Sequence, residues 1–168
     1  MSIAQSVLPE FELEMANTRK VLALIPASHA DWKPHDKSFS LSSLAMHLAN
    51  FPNWGMMTVR QDELDLAGAA MTDGRAAFST TETLLATYDA DVSALREALA
   101  TTSDDAMHAM WTLKHGGMTI FTLPRLAVLR TSVLNHMIHH RGQLTVYLRL
   151  LDVPLPDLFG PTADTKRG

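Results

Sequence analysis

The chain has no cysteine, no apolar run approaching the roughly 18 residues that suggest a membrane span, and no clustering of its 14 Lys and Arg. Without thiols there can be no disulfide framework, no zinc–thiolate centre and no cysteine nucleophile, so any metal must sit on nitrogen and oxygen ligands. Without a basic stripe, and with 18 Asp and Glu giving a net charge of −4, the chain lacks the electrostatic footprint of a nucleic-acid binder. The N-terminal MSIAQSVLPEFE shows no basic residue followed by an apolar segment, so it does not read as a secretory signal. A cytoplasmic location, with neither nucleic acid nor membrane as partner, is expected.

What is present is the composition of a globular protein, with 46% hydrophobic and 19% charged residues. A length of 168 residues suits one domain, 1–168, and is short for two. Neither internal repeats nor low-complexity segments occur.

Helical periodicity dominates. Leu8, Phe11, Met15, Leu22 and Ile25 mark the apolar face of a first helix, with Pro9 near its start and Pro26 ending it. Ser40 suits the N-cap of a second helix whose stripe holds Leu41, Leu44, His47, Leu48, Phe51 and Trp54, and Pro52 should kink or divide it. Residues 62–78 read as a loop. Ser79 and Glu82 form a capping-box pattern opening a third helix, with Leu84, Leu85, Tyr88, Val92, Leu95 and Leu99 on its face to about Thr101. The stretch MWTLKHGGMTIFTL reads as a short hairpin or irregular excursion, and Pro124 suits the first turn of a fourth helix running to about Asp152. The Pro-rich tail cannot continue it. These patterns predict an all-α fold, a four-helix bundle, whose sites are built from side chains of facing helices.

The chemistry lies in the fourth helix, in NHMIHHRGQL, where His136, His139 and His140 fall within five residues. Projected at roughly 100° per residue, the apolar stripe contains His136 and His140, while His139 falls toward one edge. The i, i+4 spacing stacks the two imidazoles on one face, as two ligands of one metal require. A lone inward histidine such as His47 is more often a hydrogen-bonded core residue. A pair one turn apart leaves several buried nitrogens needing partners, which a divalent cation relieves. Gln143 projects near this face and can orient a ligand, whereas Arg141 projects away, toward a surface, partner or helix-end role. Gly142 costs about 1 kcal/mol in a helix interior, and close approach of another helix would offset it.

His29, His35, His108 and His115 fall in connections and read as solvated, with His35 a candidate rim residue because its loop leads to the helix of His47. Trp32, Trp54, Trp111 and Phe121, and the methionines Met46, Met56, Met57, Met107, Met110, Met118 and Met137, serve either a core or a pocket wall. No acidic residue falls clearly on the metal-facing stripes, so no general base can be named and a hydrolase is disfavoured.

The segments DWKPHDKSFSLSSLAMHLANFPNW and NHMIHHRGQLTVYLRLLDVPLPDLFGPTAD, with a Trp-Lys-Pro turn, a histidine in the second helix and His-x-x-x-His-Arg-Gly-Gln in the fourth, resemble the DinB family over nearly the whole chain. The resemblance implies an up-down-down-up four-helix bundle, a homodimer, and a divalent metal, zinc or nickel, on His47, His136 and His140. It further implies a metal-dependent small-molecule enzyme of the thiol transferase type, with a low-molecular-weight thiol as cosubstrate. A hydrolase using metal-bound water and a non-catalytic metal-binding stress or sensor dimer stand as alternatives.

Overall fold

Ser2 opens the first helix: its side chain accepts the Gln5 N–H at 3.1 Å while the Gln5 side chain accepts the Ser2 N–H at 2.9 Å. This capping box satisfies two helix-terminal donors, so helix α1 (Ile3–Leu22) begins early and Pro9 lies inside it rather than at its start. In the computed structural model, which describes residues 2–67 and 78–165, the chain is mostly helical with one small sheet. The sheet departs from the all-α expectation. Val7, Phe11, Met15 and Leu22 bury one face of α1 in the main core.

As Pro52 implies, the second helical segment is divided into α2 (Leu41–Ala49) and α3 (Phe51–Arg60). Ser40 caps α2 by accepting the Ser43 N–H at 3.1 Å. Pro52 sits in the first turn of α3, where a missing N–H costs no intrahelical bond. Part of the expected loop at 62–78 is instead strand β1 (Glu63–Asp65), with Leu64 buried; residues 68–77 of that loop lie outside the described residues. Three residues are too few to show alternation, and the partner strand lies some fifty residues away in sequence.

Helix α4 (Thr81–Thr101) is capped one residue later than predicted, by Thr80 and Thr83 rather than Ser79 and Glu82. A short helix α5 (Asp104–His108), capped by Ser103, was not visible in the pattern. The hairpin forms as β2 (Met110–His115) and β3 (Met118–Pro124), and Gly116 and Gly117 at its turn have φ of +58° and +80°, a left-handed pair that favours glycine. Asp65 accepts the N–H groups of Gly116 and Gly117 at 2.8 and 2.7 Å, holding the hairpin turn to β1. The sheet order is β1-β2-β3, with β1 parallel and β3 antiparallel to β2 (Glu63 opposite Thr112, Trp111 opposite Leu123). Its inner face, Leu64, Trp111 and Leu113, forms a second small core with Met57 and Val128.

Pro124 is the residue just before the last helical segment, not within its first turn. That segment has three parts: α6 (Arg125–Val128), a π-helical stretch Leu129–Asn135, and α7 (His136–Leu150). The buried Arg125 clamps its start to the end of α3, donating to Thr58 O at 2.9 Å and Gln61 O at 3.0 Å and pairing with Asp62. Because i→i+5 winding advances less per residue than an α-helix, the angular projection is valid from His136 onward but drifts for the residues before it.

Two expectations for α7 are corrected. Arg141 is buried, not on the surface: its guanidinium donates to Glu14 O at 3.1 Å and Thr18 Oγ1 at 3.2 Å and lies 2.6 Å from Glu14 Oε2. The projected direction was sound, but α1 and the C-terminal tail occupy it, with Phe159 5.4 Å from the guanidinium. Gly142, by contrast, has no close helix beside it: a Cβ built there meets nothing within 4 Å. The close approach is at Gly55, where a Cβ would lie 2.9 Å from Leu95 Cδ2 of α4. Replacing Gly142 with Ala should therefore stabilise the fold by about 0.5–1 kcal/mol, through a stiffer unfolded chain and better helix propensity. A urea midpoint that fails to rise would show that this backbone needs glycine.

Among the described residues, no helix is long and apolar enough to cross a membrane.

Candidate metal centre

Helix α2 presents His47, and the first two turns of α7 present His136 and His140. Each can offer one ring nitrogen such that the three lie within 4.8 Å of one another. Ring centroids are 4.7 Å apart for His47 and His140, 5.4 Å for His47 and His136, and 4.6 Å for His136 and His140. The pair selected by projection thus meets the histidine nearly ninety residues upstream. His139 is exposed on α7, outside the cluster.

The second contacts of the rings determine what the cluster can do. Gln143 Oε1 lies 2.7 Å from His140 Nδ1 and can only accept, so Nδ1 carries the proton and Nε2 is left with its lone pair. The Gln143 amide nitrogen donates to His139 Nε2 at 3.1 Å, which fixes the amide's orientation. His136 hydrogen-bonds the Ser132 backbone through one ring nitrogen, and its Nε2 lies 2.9 Å from His140 Nε2. Two imidazole lone pairs at this separation repel unless a proton or a cation lies between them. Nitrogens 2.9 Å apart can both reach one zinc-sized ion at the usual distance of about 2.0–2.1 Å. The donor set therefore fits a divalent metal.

Burial works against the proton. It pushes His47 down to about 4, with the neighbouring imidazoles His140 and His136 adding to the effect. His136 and His140 are lowered as well, chiefly by burial; Ser132 and Gln143, respectively, oppose the shift. Phe51 contributes to this apolar setting, 5.1 Å from His47 and 4.8 Å from His136 between ring centroids. A folded-state value below the unfolded value of about 6.5 means that the unfolded chain binds more protons in between. The stability of the metal-free protein is thus present above pH 6.5 and should fall as pH drops from about 6.5 toward 4. Urea midpoints across this range check the sign, and His47→Gln should flatten the slope.

His140 and Gln143 also line an open cleft of about 260 Å³, together with Lys37, Ser38, Phe39 and Tyr147. Helical spacing reaches His140 and Gln143, whereas the only sign in the sequence of Lys37, Ser38 and Phe39 is the rim position suggested for His35. His35 is exposed and acts through the backbone, its Nδ1 accepting the Lys37 N–H at 3.1 Å. His29, His108 and His115 are exposed, as expected. Trp111 belongs to the second core with Phe121 against it, Trp32 packs edge-on against Tyr147, and Trp54 lies 6.5 Å from His47. No methionine lines the cleft: Met57, Met107 and Met137 are core, and Met110 and Met118 are exposed. Among the described residues, neither the cluster nor the cleft includes a carboxylate.

Comparison with known proteins gives three findings. A family model described as the DinB family matches residues 1–161. No curated protein matches the chain. Solved structures share the fold: a DinB-like protein from Bacillus cereus ATCC 10987 (20% identity, 94% of this chain and 98% of that one, TM-score 0.70) and a DinB-like protein from Bacillus subtilis (17%, 91% and 97%, 0.69). A third, a candidate DinB family member from Exiguobacterium sibiricum 255-15, is 23% identical over 95% of this chain and 99% of that one, with a TM-score of 0.66.

Proposed function

The chain belongs to the DinB family, and from that premise we propose that it is a divalent-metal protein acting on a small molecule, of the thiol transferase type, with His47, His136 and His140 as ligands. The observation that carries the reading is the convergence of three imidazoles, with the Nε2 atoms of His136 and His140 2.9 Å apart beside His47, at the edge of an open cleft. A sealed cluster would suit a structural ion; one that borders a cleft leaves room for exchangeable ligands. We read α1, the α2–α3 pair, α4 and the final segment as the up-down-down-up bundle of the family, and the protein as a homodimer.

The chain's own residues have assignable roles. Gln143 holds His140 in the tautomer that frees Nε2, and Phe51 and Trp54 limit water on the far side of the cluster. Zinc or nickel bound there would keep a cosubstrate thiol as thiolate. In such a transfer a carbon–sulfur bond would form to an electrophilic carbon, the leaving group would take its electron pair, and the thiol proton would pass to solvent. The cleft lining offers no carboxylate to deprotonate a water, which counts against the hydrolase alternative.

The test is a screen of zinc- and nickel-loaded protein with several cellular thiols against electrophiles, with no-thiol controls. Thiol-dependent turnover that is lost in His140→Ala is expected. Turnover without thiol would indicate hydrolysis, and silence with every thiol would favour the non-catalytic metal-binding module. Replacing Gln143 with Leu should weaken metal binding about 10- to 100-fold without unfolding the chain, the usual effect of removing a partner that orients a ligating histidine. Competition with a chelator measures this.

A further inference from the structure

The cleft beside His140 is chemically one-sided. Phe39, 54% exposed, and Tyr147 form aromatic walls, and His140 and Gln143 border the metal cluster. The polar groups left over come from the turn before α2: the Lys37 ammonium and the Ser38 hydroxyl. Among the described residues Lys37 has no carboxylate partner, and no side-chain hydrogen bond engages Ser38. The Gln143 amide nitrogen is committed to His139. The unused capacity is therefore a cation and a hydroxyl donor, with no anion in the lining.

The turn that carries them is held by backbone contacts. Lys37 N–H donates to His35 Nδ1 at 3.1 Å and Ser38 N–H to His35 O at 2.9 Å. Leu41 N–H donates to Trp32 O at 2.9 Å, and the Tyr147 hydroxyl reaches Phe39 O at 3.4 Å. Two consecutive residues with donor side chains thus line one cleft on a loop fastened to α7. The net charge of −4 gives an anion no general attraction to this protein, so attraction here must be local. At about 260 Å³ the cleft lies just below the roughly 300–1,000 Å³ of ordinary ligand pockets and admits only a small molecule.

We propose that the cleft selects a carboxylate-bearing thiol cosubstrate, its carboxylate received by Lys37 and Ser38 and its sulfur directed at the His47–His136–His140 cluster. This rests on the metal-and-thiol reading above. Lys37 and Ser38 are then specificity residues that touch the cosubstrate.

Calorimetric binding of mercaptoacetate and of 2-mercaptoethanol to the zinc-loaded protein tests the idea without turnover. The bound ion itself favours an anion, so the informative quantity is how the ratio of the two affinities changes on substitution. Lys37→Gln should lower the mercaptoacetate preference about three- to ten-fold, the scale of a partly exposed charged hydrogen bond. Lys37→Arg should keep it, Lys37→Glu should lower it further, and Ser38→Ala should lower it less. If both thiols bind and the ratio is the same in wild type, Lys37→Gln and Lys37→Glu, the carboxylate site is wrong and the thiol reading stands. If neither thiol binds the zinc-loaded wild type, the thiol reading falls and this proposal with it. Thermal unfolding of each variant checks that the turn is intact.

Discussion

Replacing Arg141 with Ala is expected to destabilise the protein by about 3–5 kcal/mol, the typical cost of removing one partner from a buried ion pair. Arg141 is 2% and Glu14 6% exposed, so the carboxylate left behind could not recover its lost partner from bulk water. The contact is an ion pair more than a hydrogen bond: Glu14 Oε2 lies 2.6 Å from Arg141 Nη2 but lacks the angle for a hydrogen bond. The same guanidinium donates to Glu14 O and Thr18 Oγ1, so truncation also removes two buried hydrogen bonds to α1. Chemical denaturation measures the loss. Glu14→Leu combined with Arg141→Met should recover most of it, because matched apolar replacement of a buried pair is often neutral. A loss below about 1 kcal/mol in Arg141→Ala would mean that water reaches the pair in solution.

The second large effect is on metal content. Wild-type protein equilibrated with zinc or nickel should hold about one ion per chain, and His47→Ala, His136→Ala and His140→Ala should each hold almost none after dialysis. His139→Ala should stay close to wild type, because His139 is exposed and offers no nitrogen to the cluster, meeting it only edge-on at His140 and through the Gln143 amide. The ion would tie α2 to α7, so its binding free energy adds to folding. At a free concentration a thousand times the Kd that increment is about 4 kcal/mol. Added metal should therefore raise the unfolding midpoint of wild type and leave the three variants unmoved, a readout independent of any reaction. Full stoichiometry in all three variants would show the ligand assignment to be wrong.

Much of this site is legible because α-helical spacing fixes angles. His136 and His140 had to share a face, and His139 had to lie off it, whatever the helix packed against. Gln143 could be placed near them for the same reason, and its hydrogen bond to His140 follows from i, i+3 proximity. Gly116-Gly117 marked a turn because left-handed φ favours glycine. The cleft was not legible in this way: Lys37, Ser38 and Phe39 lie in an aperiodic turn, and only the folding of that turn against Tyr147 makes them neighbours of His140.

The misreadings share a cause. The projection points Arg141 toward the surface because it gives a direction and not what stands there; α1 and Phe159 stand there. The close helix contact that Gly142 suggests belongs instead to Gly55. β1 has the local pattern of a loop because its pairing with β2 is long-range. The π-helical winding before His136 depends on hydrogen-bond register, which residue types alone do not specify.

By itself the sequence determined the four long helical segments, the hairpin, the division at Pro52 and the facing of His136 and His140, because each follows from local backbone preference or angular repeat. Tertiary structure alone decided that His47 reaches the other two, that an ion pair lies buried behind them and that a cleft opens beside them. Those facts depend on the heights and neighbours of packed helices, which no local periodicity encodes.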